Sequence, residues 1–285
     1  YIMDQPKLFE YTSAAVPIID ELKPISMSFD EKKVIRTPNL LIQYLHISGQ
    51  MKCNQDLRNA TSHVFYVLKG EGKTFFMDGT ITWKEGDVFT FPYCSIHAIH
   101  RPSVDCILFY ANDSPLLEFL HVEPNKPRFL STHYKSEVMM KQIEDFNQEM
   151  GAETRNRNGI LLSNKQMVEE KLNTLTHTMW SLLNSISPDT VQKPHKHNSI
   201  AVDLCIYAND EEEGKVYTIM GKEIDEKGNI LNPVKMIWKS GCTFTTPPGW
   251  WHSHHNESSE IAWVFPVQDA GLHTYLRTLD IQFQK

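Results

Sequence analysis

Short apolar segments separated by glycine turns recur along the first half of the chain. Alternating or continuous apolar positions predict strands over 40–47, 63–68, 74–77, 88–91 and 106–110. Turns are expected at 69–72, at Asp78 and Gly79, and at 86–87. Short strands at this regular spacing are typical of a small barrel or jelly roll.

The pattern changes between residues 133 and 187. Apolar residues recur there at steps of three and four, which is the period of an amphipathic helix. The longer run extends from Met167 to Ile186, and a shorter helix is expected over 135–150, ending near Gly151. We interpret this stretch as a helical connector.

From residue 188 onward the strand pattern returns. Strands are predicted over 201–207, 215–220 and 261–265, with a hairpin tip at 225–229. A last strand over 279–283 is expected to add to a sheet edge, with the other barrel as one candidate.

The two β regions suggest a diverged internal repeat. The predicted fold is therefore dominated by β-structure, with two barrels joined by helices. The predicted parts are an arm over 1–37 with an apolar segment at 16–19, an N-terminal barrel over 38–130, a connector over 131–187 and a C-terminal barrel over 188–285.

Composition argues against two classes of binding partner, nucleic acids and membranes. The net charge of −7 and the pI near 6.0 argue against a general nucleic-acid surface, which would be basic. No apolar run approaches the ~20 residues that cross a bilayer, and residues 1–10 lack the pattern of a signal peptide. The five cysteines are widely spaced, without a CxxC pair, as is typical of reduced thiols. We expect a cytoplasmic protein that binds neither nucleic acid nor membrane.

Three histidines form a pattern that suits a metal ion. His195 and His197 are one residue apart at the start of a predicted strand, so both side chains face the same side. His252 follows a turn over 246–251, and a hairpin-rich barrel can bring it close to the other two. Three neutral imidazoles suit Fe, Zn, Cu, Ni or Mn and leave coordination positions open. The alternative is that these are core or surface histidines.

The spacing around these histidines resembles the two motifs of the cupin superfamily. His195-x-His197 resembles the start of the first motif. The second motif, G-x5-P-x-G-x2-H-x3-N, is matched by Gly241, Pro247, Gly249, His252 and Asn256. Among cupins, the chain is similar to the two-barrel ring-cleaving dioxygenases typified by gentisate dioxygenase.

The resemblance implies two double-stranded β-helix barrels and a metal held by His195, His197 and His252. Many cupins have a Glu ligand four or five residues after the second histidine, but Ala201 and Val202 stand there in this chain. The chain therefore resembles the three-His variant, for which Fe(II) is expected and Zn, Ni or Mn is compatible. The resemblance also implies a homo-oligomer.

The N-terminal half resembles a degenerate copy of these motifs. Residues 86–92 followed by His97 resemble the second motif, although no glycine follows the proline. Counted back from Gly70, His63 stands at the position of the Glu ligand. The expected histidine pair falls on 56 and 58 or on 57 and 59, and neither pair contains histidine. We therefore expect His63 and His97, joined by His100, to be vestigial. The gentisate dioxygenases that this chain resembles carry their iron in the N-terminal barrel, whereas here the intact set is C-terminal.

Two further residues share strand parity with the three histidines. His254 has the parity of His252 and is a candidate catalytic group that moves protons. Asp203 has the parity of His195 and His197 and is a candidate to contact the metal or its ligands. The alternatives are a rim histidine and a structural carboxyl.

Four residues are candidates to bind substrate: Trp251, Tyr217, Gln268 and Arg277. Trp251 would wall an apolar pocket, and Arg277 would pair with a substrate carboxylate. The alternatives are core packing for the aromatic side chain and a structural salt bridge for the arginine.

The resulting hypothesis is an Fe(II)-dependent dioxygenase that acts on a small, chelating hydroxy acid, aromatic or otherwise, with O2. Three neutral ligands leave the charge of a divalent metal uncompensated, and an anionic chelating substrate would neutralise it. A second hypothesis is a non-oxidative lyase, isomerase or hydrolase that uses the metal as a Lewis acid. A third is a barrel that binds a small molecule without catalysis.

Overall fold

The computed structural model describes residues 23–30, 33–77, 79–150 and 158–284. The apolar segment at 16–19, Asp78 of the predicted hairpin and Gly151 lie outside these residues.

Twenty-two strands and four α-helices make up the regular structure of the described residues. The first ten strands are β1 (Ser26–Met27), β2 (Val34–Arg36), β3 (Leu41–Ile47), β4 (Cys53–Gln55), β5 (Ser62–Lys69), β6 (Glu71–Phe76), β7 (Gly79–Lys84), β8 (Val88–Pro92), β9 (Ala98–Pro102) and β10 (Cys106–Asn112). The middle of the chain contains α1 (Ser114–Leu120), β11 (Thr132–Tyr134), α2 (Ser136–Asn147), β12 (Asn158–Leu161) and α3 (Lys165–Glu169). The remaining elements are β13 (Trp180–Ile186), β14 (Thr190–Val191), β15 (His195–His197), β16 (Ala201–Tyr207), β17 (Val216–Gly221), β18 (Val234–Ile237), β19 (Thr243–Thr246), β20 (Trp251–Asn256), β21 (Ala262–Gln268), α4 (Ala270–Tyr275) and β22 (Ile281–Phe283).

Each half of the chain forms two antiparallel sheets with the same central strand order. In the N-terminal half the sheets are β11-β8-β5-β10-β3-β2 and β4-β9-β6-β7. In the C-terminal half they are β19-β16-β21-β13-β12, to which β1 adds from the N-terminal half beside β19, and β22-β15-β20-β17-β18, with β14 also on β20. The order β8-β5-β10-β3 therefore corresponds to β19-β16-β21-β13, and β4-β9-β6-β7 to β15-β20-β17-β18. This correspondence confirms the two-barrel fold and its internal repeat.

The helix predicted over Met167–Ile186 is wrong. The structure has a five-residue helix, α3, then turns with positive φ at Lys171 and Asn173, and then strand β13. The shorter helix is confirmed as α2. Because β13 pairs with β21, it belongs to the sheets of the C-terminal half rather than to a connector. The exact limits of the four predicted parts stay predictions.

A shared apolar core joins the two barrels. The sheet that contains β5 and β10 packs against the sheet that contains β16 and β21 through residues such as Val64, Phe109, Val202 and Phe265. The rings of Phe109 and Phe265 meet edge to face at 6.5 Å. Strand β1, which falls within the predicted arm, crosses to pair with β19.

Two polar contacts cross this interface at equivalent places in the repeat. Asn39, just before β3, donates from Nδ2 to Oδ2 of Asp269 at 2.7 Å. Thr178, just before β13, donates from Oγ1 to Oδ2 of Asp113 at 2.8 Å. Both carboxyls are buried, and a buried carboxyl needs donors to offset its desolvation. The barrels are thus fixed relative to each other by reciprocal hydrogen bonds as well as by apolar packing.

The substitution Thr178→Val removes one of the two hydroxyl groups that donate to Asp113, the other being that of Thr61, with little change in shape. We expect it to lower the free energy of unfolding by about 1–3 kcal/mol, because a buried carboxyl loses a partner. Urea unfolding monitored by fluorescence measures the change. Thr80→Val, on the exposed face of β7, is the matched control, and equal effects of the two substitutions would contradict the role of Thr178.

Candidate metal centre

The three histidines of the sequence motif come together inside the C-terminal barrel. His195 on β15 lies directly opposite His252 on β20, and their ring centroids are 3.9 Å apart. One nitrogen from each of His195, His197 and His252 lies within 4.8 Å of the others. All three side chains are buried, and within the described residues this is the one group of three with such spacing.

Gly249 and Asn256 of the motif each have a structural role in the turn or strand that carries His252. Gly249 has φ of 75°, a conformation that favours glycine, and its N–H donates to the carbonyl of His197 at 2.7 Å. The turn before β20 is thereby tied to the strand that carries the other two histidines. At the far end of β20, Asn256 donates from Nδ2 to the carbonyls of Ile186 and Glu260.

Hydrogen bonds to backbone carbonyls fix the tautomers of two of the histidines. Nδ1 of His197 lies 2.8 Å from the carbonyl of Ser199, and Nδ1 of His252 lies 3.1 Å from that of Trp250. A carbonyl only accepts, so each Nδ1 carries the proton and each Nε2 keeps a lone pair. This is the arrangement in which histidine binds a metal through Nε2. The donor set therefore fits a metal ion.

The three histidines open into a cavity of about 280 Å³. One wall comes from the sheet that contains β15 and β20, and it carries the histidines, including His254. The opposite wall comes from the sheet that contains β13, β16 and β21. Its lining residues are Trp180, Leu182, Asn184, Asp203, Val264, Pro266 and Gln268. Ala270, Leu279, Ile281 and Phe283 complete the lining.

Asp203 is the one carboxyl among the lining residues, and none of them is Lys or Arg. It faces the cavity from β16, and Oγ1 of Thr246 donates to its Oδ2 at 2.9 Å. Burial raises the pKa of Asp203 to about 7, against the lowering effect of the Thr246 hydrogen bond. The side chain of Asp203 therefore points into the barrel interior, as its strand parity predicts. It lies on the wall opposite the histidines.

His254 lies beside the three histidines, with its ring 5.8 Å from that of His252. Its Nδ1 is 2.7 Å from Oγ1 of Thr218, and Nε1 of Trp238 donates to the same hydroxyl at 2.9 Å. The hydroxyl of Thr218 thus holds the imidazole in one orientation within the cavity wall.

The fold is shown by comparison with solved structures. No protein-family model matches the chain, and no curated protein matches it by sequence. Among solved structures, salicylate 1,2-dioxygenase from Pseudaminobacter salicylatoxidans matches with a TM-score of 0.67 at 12% identity, over 86% of this chain and 75% of that one.

The chain has the bicupin fold.

Two further structures resemble this bicupin. A mutant of salicylate 1,2-dioxygenase from Pseudoaminobacter salicylatoxidans, solved in complex with gentisate, matches with a TM-score of 0.67 at 12% identity, over 87% of this chain and 73% of that one. A cupin 2 conserved barrel domain protein from Leptotrichia buccalis matches with a TM-score of 0.50 at 13% identity, over 86% and 88%. Identities this low show the shared fold alone.

The two barrels of the bicupin carry the same Trp-Thr-His hydrogen-bonded chain. In the N-terminal barrel, Nε1 of Trp83 donates to Oγ1 of Thr74, which lies 2.7 Å from Nδ1 of His100. Thr74 is the register partner of His100, as Thr218 is of His254. His100 therefore corresponds to His254.

This correspondence shows what occupies the ligand positions in the N-terminal barrel. Ala98, two residues before His100, stands where His252 stands in the other barrel. Its partner across the strands is Gln55, in the place of His195. Two residues further, in the place of His197, is Leu57. The described residues of this barrel contain no group of three metal ligands.

His63 and His97 do not form a vestigial pair in this structure. His63 is buried, and its Nδ1 lies 2.7 Å from the hydroxyl oxygen of Tyr110. Burial lowers the pKa of His63 to about 4. His97 is about half exposed, with its Nδ1 4.0 Å from Oδ1 of Asp56. The segment from Pro92 to Ala98 is one residue longer than that from Pro247 to His252, so His97 is displaced from the ligand position.

Of the four predicted substrate-binding residues, one lines the cavity. Gln268 does so and accepts a hydrogen bond from Oγ of Ser199 at 3.2 Å. Trp251 faces away from His252 and packs under Nζ of Lys196 at 4.9 Å. The hydroxyl of Tyr217 donates to Glu257 outside the barrel at 2.6 Å.

Arg277 also lies outside the cavity lining, in the turn after α4, where it has φ of 61°. For Trp251, Tyr217 and Arg277 the prediction of substrate contact is therefore corrected.

Two groups of lining residues were not among the candidates predicted from the sequence. Trp180, Leu182 and Asn184 lie on β13, which was predicted as helix. Their spacing of two residues was the available signal. Ile281 and Phe283 belong to the last strand, which joins β15 in the same barrel instead of the other one, and Leu279 lies just before that strand. Phe283 stacks on His195 with ring centroids 5.7 Å apart.

A wider groove of about 770 Å³ lies beside the N-terminal barrel. Two of its charged groups are engaged with each other, since Nη2 of Arg58 bonds Oδ2 of Asp56 at 2.8 Å. Of this groove and the C-terminal cavity, the cavity is the one that unites buried imidazoles with a buried carboxyl. None of the helices in the described parts of the chain has the length and apolar character needed to cross a bilayer.

The raised pKa of Asp203 predicts how the free energy of unfolding depends on pH. Because folding raises this pKa from 3.8 to about 7, the folded state loses stability as the pH rises between these values. Asp203→Asn removes this effect. We expect the stability of the metal-free variant, relative to wild type, to increase by about 2–3 kcal/mol from pH 5 to pH 8. Urea unfolding at the two pH values measures it, and a constant difference between the proteins would refute it.

Proposed function

We propose that this bicupin is a metal-dependent dioxygenase that acts on a small, chelating hydroxy acid, with aromatic acids as the leading class. The observation that supports this proposal is the convergence of three buried imidazoles, two with Nε2 set as a lone pair, on one small cavity. A cavity of about 280 Å³ suits a molecule of about the size of a single ring.

His195, His197 and His252 would hold the metal, and Fe(II) is the ion that we propose. A divalent ion on three neutral imidazoles supplies positive charge and open coordination positions for a chelating substrate and O2. The similarity to salicylate 1,2-dioxygenase, and to its mutant solved with gentisate, supports this choice through the fold.

The protein's own residues would bind and orient the substrate. Trp180, Leu182 and Val264 offer an apolar surface for a ring, and Gln268 and Asn184 offer amide groups. Phe283 and Ile281 cover the cavity beside β15 and limit the access of water.

His254 and Asp203 are the groups that could hold a proton in this cavity. The pKa of Asp203, raised to about 7 by burial, allows this carboxyl to donate or accept a proton near neutral pH. That observation also favours a second candidate function, a non-oxidative lyase or isomerase reaction with the metal as Lewis acid. A binding barrel without catalysis is the third hypothesis. Cytoplasmic location and self-association stay predictions.

Metal content tests the centre itself. We expect the purified protein to contain about one metal ion per chain, predominantly iron, and His195→Ala to lose it, because two imidazoles hold a divalent ion weakly. Plasma mass spectrometry measures the content. His273→Ala, on α4 outside the cavity, should keep its metal, and an unchanged content in His195→Ala would refute the assignment.

Oxygen uptake tests the reaction. With Fe(II), we expect consumption of O2 on addition of hydroxybenzoates such as gentisate, and His252→Ala should reduce the rate by at least about 100-fold, since it removes a ligand. An oxygen electrode records the rate. Substrate conversion at the same rate without O2 would instead indicate the lyase or isomerase.

A further inference from the structure

The two walls of the cavity have different chemistry. The histidines His195, His197, His252 and His254 all come from the sheet that contains β15 and β20. The carboxyl of Asp203 comes from the facing sheet, which contains β16. A substrate that chelates a metal on the first wall therefore directs its far end toward the second.

Asp203 has capacity to accept further hydrogen bonds. A carboxylate offers about four acceptor positions, and in the described part of the chain the side chain that donates to it is Thr246. None of the lining residues is cationic. A donor on a bound molecule would therefore give this buried carboxyl a further partner besides Thr246.

The charges point to the same type of molecule. Three neutral imidazoles leave a divalent metal with two positive charges, and an ionised Asp203 reduces the total to one. A substrate with a single negative charge at its chelating end would balance the cavity. A second carboxylate at the far end would meet Asp203 with no cation between them, and like charges at short range in a buried site repel strongly.

The internal repeat shows that a barrel of this kind does not require a carboxyl at this place. Asp203 pairs with Phe244 and Pro266, and Phe65 pairs with Phe89 and Tyr110 in the corresponding strands. In the N-terminal barrel the Phe65 ring fills the interior, stacked on Tyr110 at 4.6 Å. Asp203 thus opens the space that Phe65 closes.

We propose that Asp203 determines specificity by accepting a hydrogen bond from a hydroxyl or amino group at the end of the substrate opposite its chelating group. The cavity then favours molecules with one acidic chelating group and one such donor, and rejects a second carboxylate. This inference rests on the proposed function, because it takes the chelating end to lie at the three histidines.

The test uses Co(II)-loaded protein and measures binding without turnover. The probes are 2-hydroxybenzoates that carry a hydroxyl, an amino, a methoxy or a second carboxylate group at ring position 4 or 5. Wild type should bind the hydroxyl or amino compound at least about 10-fold more tightly than its methoxy partner, and about 100-fold more tightly than the dicarboxylate. The Co(II) absorption spectrum follows the titration.

Asp203→Asn keeps the size of the side chain and removes its charge. It should bring the four probes to within about threefold of one another, mainly by improving binding of the dicarboxylate. Glu257→Gln, a carboxyl-to-amide change outside the barrel, should keep the wild-type order. Metal content of each variant confirms that Co(II) is bound.

The outcomes separate this inference from the proposed function. If the probes bind to wild type without preference, or if the preference survives in Asp203→Asn, the role of Asp203 is refuted while the chelating site stands. If none of the probes changes the Co(II) spectrum, the chelating site is refuted, and the inference falls with it.

Discussion

The antiparallel register between β15 and β20 is the constraint on which the candidate site depends. It sets His195 opposite His252, and strand alternation then directs His197 and His254 into the same interior. A slip of one residue in β20 would turn Trp251 inward in place of His252. The hydrogen bond from the amide of Gly249 to the carbonyl of His197 opposes such a slip from the turn side. The imidazoles are therefore positioned by backbone pairing inside a packed barrel, which holds a site more rigidly than loops do.

The N-terminal barrel shows which features belong to the fold and which belong to the site. Both barrels have a tryptophan, a threonine and a histidine in one hydrogen-bonded chain, so the contact of Thr218 with His254 is not specific to a metal centre. The two barrels differ at the ligand positions, because the N-terminal barrel has Ala98 where the C-terminal barrel has His252. One additional residue in the preceding loop separates His97 from that position. The histidines of the C-terminal barrel are thus the feature of the repeat that indicates a chemical function.

The sequence predicted the histidine centre better than the surrounding cavity, for physical reasons. Two histidines one residue apart on a strand share a face whatever the rest of the fold does. Strand β13 was missed because both of its faces are buried: Leu182 faces the cavity and Leu183 the other barrel. Apolar residues on both faces remove the alternation that identifies a strand. Trp251 was predicted to contact substrate because it is an aromatic residue near the motif. Its strand parity, opposite to that of His252, already indicated that its side chain faces the outside of the barrel.

Asp203 illustrates that the cavity lowers the stability of the barrel that contains it. Phe65, at the corresponding place, adds stacked aromatic contacts in the interior of the N-terminal barrel. A carboxyl there loses those contacts and is desolvated, which raises its pKa. A cation held by the histidines on the facing wall would favour the ionised form of Asp203, so the two groups would support each other once both are present. The metal-free barrel would then be the less stable state at neutral pH, and a bound ion would stabilise the fold through Asp203 as well as through its ligands.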